Sequence, residues 1–262
     1  MLRPRIIPCL LVKNGGLVKT VGFAAPKYIG DPINTVRIFN EKEVDELIVL
    51  DIDASVNNAE PDYKMISHLA EECRMPLCYG GGIKTSEQAR YIIGLGVEKV
   101  AISSAAIENP MLITEIAKQL GRQSIVVVLD VKKRFFGKTY EVFINNGKLN
   151  TKRDLFELSK ELENFGVGEL VINDITLDGK MSGYDLSLAK KIKTSANVPV
   201  TIIGGAGALN DIENLIAQCG IIGSAAGSLF VFKGKYKAVL INYPTIAKRD
   251  ELIKNAINKT VK

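Results

Sequence analysis

Glu46-Leu47-Ile48-Val49-Leu50-Asp51-Ile52 returns 123 residues later as Glu169-Leu170-Val171-Ile172-Asn173-Asp174-Ile175. Each copy opens on a charged residue and closes on Asp-Ile, with an apolar run between them that Asn173 interrupts in the second copy. Met75-Pro76-Leu77 with Gly81-Gly82 returns at the same offset as Val198-Pro199-Val200 with Gly204-Gly205. The opening run Ile6-Ile7-Pro8-Cys9-Leu10-Leu11-Val12-Lys13 has its counterpart in Val126-Val127-Val128-Leu129-Asp130-Val131-Lys132. A repeat this long marks a duplicated half-fold. The copies differ where Leu11 stands opposite Asp130.

Working outward, short runs rich in Val, Ile and Leu alternate with segments of helical period. Strands are expected near 5–12, 46–52, 76–79, 98–103, 125–131, 168–174, 199–203 and 221–226. Helices are expected after Thr85/Ser86, over Asp154–Leu162 and after Asn210, with Gly94, Gly96, Gly166 and Gly168 at helix ends. Continuous apolar strands are buried on both faces, and strand–helix alternation implies parallel pairing. Eight such units in two copies predict an α/β fold, a (β/α)8 TIM barrel built from two repeated half-barrels. A doubly wound open sheet predicts no twofold repeat. The expectation is one domain over residues 1–262, with halves near 1–122 and 123–262. Lys13 to Asp31 reads as a long loop able to act as a lid, and Asn145-Asn146-Gly147 as the turn of a small hairpin within 132–150.

The chain has 262 residues, of which 47% are hydrophobic, enough for a large core. Its 34 basic and 29 acidic residues leave a net charge of +5. That suits anionic small molecules slightly and nucleic acid poorly. Cys9, Cys73, Cys78 and Cys219 form no CxxC pair, and the single histidine, His68, lies in a helical pattern. A metal site is not expected, and neither is a cofactor. No signal peptide and no membrane span are read, so the expected location is cytoplasmic.

In such a barrel, chemistry sits where strands end at their C-terminal side. Asp130 there is a candidate general acid or base. Glycines after strands seven and eight, Gly205, Gly207 and Gly227 with Ser228, are candidates for holding a phosphate. The repeat places Gly82 with Ser103 and Ser104 at the matching positions of the other half. Lys19 in the lid is a further phosphate candidate, against the plain reading of a solvated lysine. Asp51 and Asp174 occupy equivalent places, which suits a shared structural duty as well as a catalytic one. At the opposite face, Arg5, Glu46, Lys99 and Glu169 stand at the starts of strands one, two, four and six. Four charges inside a barrel must pair, so a ring of alternating sign is expected, either a salt-bridge plug or a gate.

Together these residues resemble the cyclase subunit of imidazole glycerol phosphate synthase. The likeness runs through Arg3-Pro4-Arg5-Ile6-Ile7-Pro8-Cys9-Leu10, Gly30-Asp31-Pro32, Leu50-Asp51-Ile52, Gly80-Gly81-Gly82-Ile83, Glu108-Asn109-Pro110, Gly183-Tyr184-Asp185 and Gly204-Gly205-Ala206-Gly207. The resemblance implies a glutaminase-like subunit docked on the bottom face, with Glu98 at that interface. It also implies an ammonia gate at Arg5, Glu46, Lys99 and Glu169, and a phosphorylated small-molecule substrate at the top.

The departures carry equal weight. The family pairs two aspartates, ending strands one and five, and here the first position is Leu11. An alkyl side chain neither gives nor takes a proton. Ser103-Ser104 replaces the family's Asn-Thr, and Ile203 replaces a serine. The chain resembles a paralogue branch linked to acetamidino modification of nucleotide-linked surface sugars. It does so in Gly16-Leu17-Val18-Lys19-Thr20, Gly227-Ser228-Leu229-Phe230-Val231-Phe232 and Leu240-Ile241-Asn242-Tyr243-Pro244. That branch implies an ATP-dependent sugar amidotransferase as a further partner. Three readings stand: an ammonia-conducting subunit for sugar amidation, a histidine-pathway cyclase, and a non-catalytic scaffold that activates a glutaminase.

Overall fold

The computed structural model describes residues 3–134 and 139–260. The first half opens with β1 (Arg5–Lys13), β2 (Gly16–Val21), β3 (Ala24–Gly30), α1 (Pro32–Glu41), β4 (Leu47–Asp51) and α2 (Tyr63–Glu72). It continues with β5 (Leu77–Gly80), α3 (Ser86–Gly94), β6 (Lys99–Ile102), α4 (Ser104–Glu108) and α5 (Met111–Leu120). The second half runs β7 (Ile125–Lys133), β8 (Tyr140–Ile144), β9 (Leu149–Asp154), α6 (Leu155–Phe165), β10 (Glu169–Asp174) and α7 (Leu186–Ser195). Then come β11 (Val200–Ile203), α8 (Leu209–Cys219), β12 (Gly223–Ala226), α9 (Ser228–Val231), β13 (Phe232–Lys233), β14 (Ala238–Val239) and α10 (Ile246–Thr260).

Eight of the described strands pair in parallel in the order β10-β11-β12-β1-β4-β5-β6-β7, and β7 pairs with β10 to close the cylinder. This is a (β/α)8 barrel, and closure leaves these strands no free edge. Along each strand, alternate side chains face the axis. Ile7, Cys9, Ile48, Cys78, Ala101, Val126, Val128, Val171, Ile203 and Ala225 form the inner cluster. The other phase, with Ile6, Leu10, Leu47, Val49, Val127 and Leu129, packs under the helices.

The helix starts follow local chemistry. Thr85 and Gln88 form a capping box at α3. Asp154 caps α6 by accepting from the N–H groups of Phe156 and Glu157. Of the four glycines expected at helix ends, Gly96 and Gly166 take left-handed φ, whereas Gly94 and Gly168 do not. Gly168 instead answers to space, since a Cβ there would lie 1.9 Å from the Arg122 carbonyl oxygen.

The expected lid is not a loop. Residues 13–31 form the antiparallel hairpin β2–β3, continued from β1 through Leu11↔Val18 and Val12↔Leu17. Asn14 and Gly15, at φ 49° and 74°, make the turn from β1 into β2, and Gly22 and Phe23, at φ 60° and 64°, make the turn from β2 into β3. Asn-Gly is a strong signal for a tight hairpin. The second half carries its own hairpin at the same place, β8–β9 after β7, with Asp130↔Phe143 and a turn at Asn145-Asn146-Gly147. Each half-barrel therefore extends its first strand into a hairpin above the mouth.

Candidate functional site

At the bottom, the four charges meet as a closed ring. The Arg5 guanidinium pairs with Glu46, and its Nη2 lies 2.7 Å from Glu169 Oε1. Lys99 Nζ lies 2.8 Å from Glu46 Oε1 and 2.9 Å from Glu169 Oε2. The two carboxylates are almost wholly buried, while Arg5 and Lys99 keep 26% and 20% of their side chains exposed. Burial works to raise the Glu169 carboxyl. The attraction of Arg5 and Lys99 overrides it and holds the group at about 2. Thr201 completes the ring by donating its hydroxyl to Glu169 Oε1 at 2.6 Å. The sequence reading missed Thr201, although it lies two residues before Ile203 on an inward phase. Glu98 is exposed beside Lys99, and its Oε2 accepts from the Leu77 N–H at 2.7 Å.

Above the ring, the inward phases of the barrel strands turn apolar, then open into a pocket at the C-terminal mouth. Lys19, Gly82, Ser103, Ser104, Asp130, Gly205, Gly227 and Ser228 all line it, together with Leu11. Gly207 does not. It borders a separate outer groove with Leu229, Phe232 and Lys233. Its N–H is already donated, at 2.8 Å, to Asp211 Oδ2. Asp211 thus caps α8 and takes the Gly207 donor expected to hold a phosphate.

Asp130 ends the inward row of β7. Asn173, directly opposite on β10, donates from Nδ2 to Asp130 Oδ1 at 2.9 Å. Burial pushes the Asp130 carboxyl up, the Asn173 bond lowers it and the Asp178 charge raises it, with the net at about 7. A carboxyl poised there serves as acid or base near neutral pH. Leu11 lines the same pocket from β1. The mouth therefore presents one titratable carboxyl at the strand-five position and a hydrocarbon at the strand-one position.

Lys19 is buried rather than solvated. It sits in β2 and donates from Nζ to the Cys9 carbonyl oxygen at 2.7 Å. Burial lowers its ammonium pKa, and the neighbouring Cys9 and Asp178 partly offset that. Lys19 also crowds the strand-eight turn: a Cβ on Gly227 would lie 2.2 Å from Lys19 Nζ. The cation thus stands against the turn that leads into Ser228. Across the mouth, Ser104 Oγ accepts from the Asn145 N–H at 3.1 Å. Ser103 Oγ and Asn173 Oδ1 are buried with no partner among the described residues. Both line the pocket, and a buried polar atom left unpaired is costly unless a ligand or water satisfies it.

Asp51 and Asp174 divide from Asp130 by what they bind. Asp51 Oδ1 accepts from the N–H groups of Asp53 and Ala54, and Asp174 Oδ1 from those of Thr176 and Leu177. The same turn is built twice. Asp178 fastens the first hairpin to the second half-barrel, accepting from Thr20 Oγ1 at 2.7 Å and the Phe23 N–H at 3.1 Å. Among the glycines, Gly205 has no substitute: its φ is +106°, and a Cβ would meet the Gly183 carbonyl oxygen at 2.1 Å. His68 is exposed on α2, away from the pocket lining.

Comparison with known proteins identifies the family. A family profile described as histidine biosynthesis protein matches residues 5–237. A protein of Vibrio vulnificus, provisionally named as imidazole glycerol phosphate synthase subunit hisF3, is 56% identical over 97% of each chain. A Leptospira borgpetersenii protein with a similarly provisional HisF name is 56% identical over 96% of this chain and 99% of its own. Imidazole glycerol phosphate synthase subunit HisF of Lactococcus lactis is 38% identical over 98% of this chain and 96% of its own.

Proposed function

The chain belongs to the histidine biosynthesis protein family, in the line of imidazole glycerol phosphate synthase subunit HisF, and on that premise we propose that its barrel conducts ammonia to an amidation reaction. A glutaminase-like subunit docks on the bottom face, over the ring of Arg5, Glu46, Lys99 and Glu169, with Glu98 at its edge. Ammonia enters through that ring and crosses the apolar interior to the mouth. There it serves acetamidino formation on a nucleotide-linked sugar, with an ATP-dependent amidotransferase as the further partner. The chain acts in the cytoplasm as one barrel domain. Gly82, Ser103 and Ser104 on one side, and Lys19, Gly205, Gly227 and Ser228 on the other, are the proposed anion contacts.

The observation that carries this reading is Leu11 on β1, across the mouth from Asp130 on β7. Closing an imidazole ring calls for a proton donor and a proton acceptor on opposite sides of the substrate. Loss of one such group typically costs about 10²–10⁴ in rate. A second reading, a histidine-pathway cyclase, is favoured by the likeness to the Lactococcus subunit along nearly the whole chain. The two separate in one assay, with the purified chain, ammonium salt and the histidine-pathway bisphosphate. Under the first reading, turnover falls at least a hundredfold below that of an ordinary HisF. Turnover within tenfold of such an enzyme establishes the second reading instead.

A further inference from the structure

Three hairpins stand at the C-terminal mouth: β2–β3, β8–β9 and β13–β14. The first two continue β1 and β7, and the third follows α9 directly after β12. The first and third touch, with Lys27 Nζ 5.8 Å above the Phe232 ring. Their exposed surface is unusual in two independent ways.

Charge is the first. The hairpins carry exposed Lys27, Lys148, Lys152, Lys233, Lys235 and Lys237. None of these six has an ion pair among the described residues. Residues 16–30 and 232–245 contain no acidic residue at all; of the acids on the second hairpin, Glu141 on β8 is paired with Arg134 and also faces Lys152, and Asp154 at the end of β9 caps α6. The whole chain has a net charge of only +5. Six lysines without an ion pair on one face therefore outnumber the molecule's excess of five positive charges. The remaining surface is close to neutral.

Exposed apolar side chains are the second. Val21 is 51% exposed, Tyr28 66%, Leu149 52%, Tyr236 91%, Val239 46% and Leu240 48%. All lie on, or next to, the same three hairpins. Large apolar groups gathered on one face mark an interaction surface, whereas scattered single ones do not.

We propose that this face is a docking surface for an acidic protein partner, the one that carries the ammonia-accepting site. The inference rests on the conduit reading of the barrel. Ammonia released into bulk water near neutral pH is protonated and loses its nucleophilic lone pair. An acceptor must therefore cover the mouth as ammonia emerges. The lysines call for an acidic rim, and the valine, leucine and tyrosine side chains call for an apolar centre, the anatomy of a protein–protein interface. A second copy of this chain is a poor occupant, because it would bring the same six cations against themselves. Nucleic acid matches the charge but not the aliphatic side chains.

The test uses the full chain with its glutaminase-like subunit, and the purified ATP-dependent amidotransferase as probe. Lys233→Glu/Lys235→Glu/Lys237→Glu changes only exposed hairpin residues. It is expected to weaken amidotransferase binding at least tenfold and to flatten its salt dependence, since rim charges act on association. Binding of the glutaminase-like subunit stays unchanged. Tyr236→Ala weakens amidotransferase binding without altering the salt dependence. In lysine acetylation, Lys233, Lys235 and Lys237 are protected in the complex, and Lys118 and Lys190 on the outer helices are not. Equal affinity of the triple variant, protection confined to the outer helices, or binding of a short RNA in place of the protein overturns the proposal. If the chain with its glutaminase-like subunit makes product from glutamine unaided, docking falls and the conduit stands. If the amidotransferase binds the mouth but glutamine never supplies its ammonia, the conduit falls and docking stands.

Discussion

Replacing Lys99 with Met removes one cation from the bottom ring and keeps most of its hydrocarbon stem. Glu46 and Glu169 then share Arg5 alone. The magnitude follows from Glu169, whose carboxyl is held at about 2 against an ordinary 4.5. That depression is worth roughly 3 kcal/mol at neutral pH. Arg5, Lys99 and the Thr201 hydroxyl supply it together against burial, and Arg5 is the strongest of the three. The share of Lys99 is therefore about 1–2 kcal/mol. It stays below the 3–5 kcal/mol typical of breaking a fully buried pair, because Lys99 reaches solvent and Arg5 remains. Lys99→Met is expected to lower Tm by roughly 2–8 °C at pH 7. The sign of the pH dependence is fixed. A carboxyl whose folded pKa is depressed stabilises the fold above pH 4.5, and that stability is lost as pH falls from 4.5 toward 2. The gap between wild type and Lys99→Met should accordingly close on acidification, because a protonated Glu169 has no use for the cation. Thermal unfolding followed by circular dichroism from pH 7 to pH 3 measures it. A gap that is constant over that range would refute the electrostatic account and leave packing as the cause.

Other expectations follow from the mouth and the ring. Asp130 has the opposite sign: its folded pKa, about 7, lies above the ordinary 3.8, so its contribution is lost as pH rises through 7. Asp130→Asn should thus raise Tm at pH 8 and leave it nearly unchanged at pH 4, while lowering any proton-transfer activity of the pocket. Gly205→Ala should cost about 2–4 kcal/mol in denaturant unfolding, because its Cβ meets the Gly183 carbonyl and its φ is left-handed. Phosphate should bind at Gly205, Gly227 and Ser228, more weakly in Lys19→Met; isothermal titration that shows equal affinity for both proteins removes Lys19 from the site. With the glutaminase-like subunit and acceptor present, Lys99→Ala should uncouple glutamine hydrolysis from product formation while ammonium salt still supports it. Equal efficiency with glutamine and with ammonium makes the ring a structural plug.

The barrel was legible in the sequence because its determinants are local and repeated. Apolar runs closing on Asp51-Ile52 and Asp174-Ile175 mark strands whose observed bounds, Leu47–Asp51 and Glu169–Asp174, differ from expectation by at most one residue. The ring was legible as well, since Arg5, Glu46, Lys99 and Glu169 each hold the same phase at a strand start. What escaped was set by neighbours distant in the chain. Asn173 reads as one more strand residue until β10 lies beside β7 and its amide reaches Asp130. Gly207 looks like a free backbone donor until Asp211, four residues on, claims its N–H. Lys19 reads as an anion candidate on a loop, and its burial shows only when β2 folds back on β1. The Asn14-Gly15 pair is the local signal for that hairpin, and it outweighs the length of the segment.

The duplication separates structural from chemical roles by a physical argument. A residue that serves folding meets the same demand in each half, so its partners recur. Asp51 and Asp174 bind two turn amides apiece in equivalent places, and both first strands run on into hairpins. Where the demand differs, the copies diverge. Asp130 has Leu11 as its counterpart in the other copy, and burial brings the Asp130 carboxyl to about 7. The ring combines both cases. Its acids, Glu46 and Glu169, are repeat-equivalent, yet its cations come from β1 and β6, which are not mates in the duplication. A twofold plug would have drawn its cations from equivalent strands. Two buried acids inherited from the repeat, neutralised by one arginine and one lysine of different reach and strength, leave the lysine as the weaker and more readily displaced closure. That asymmetry is what a passage opened from one side requires, and it is why Lys99, rather than Arg5, is the residue on which the gate reading turns.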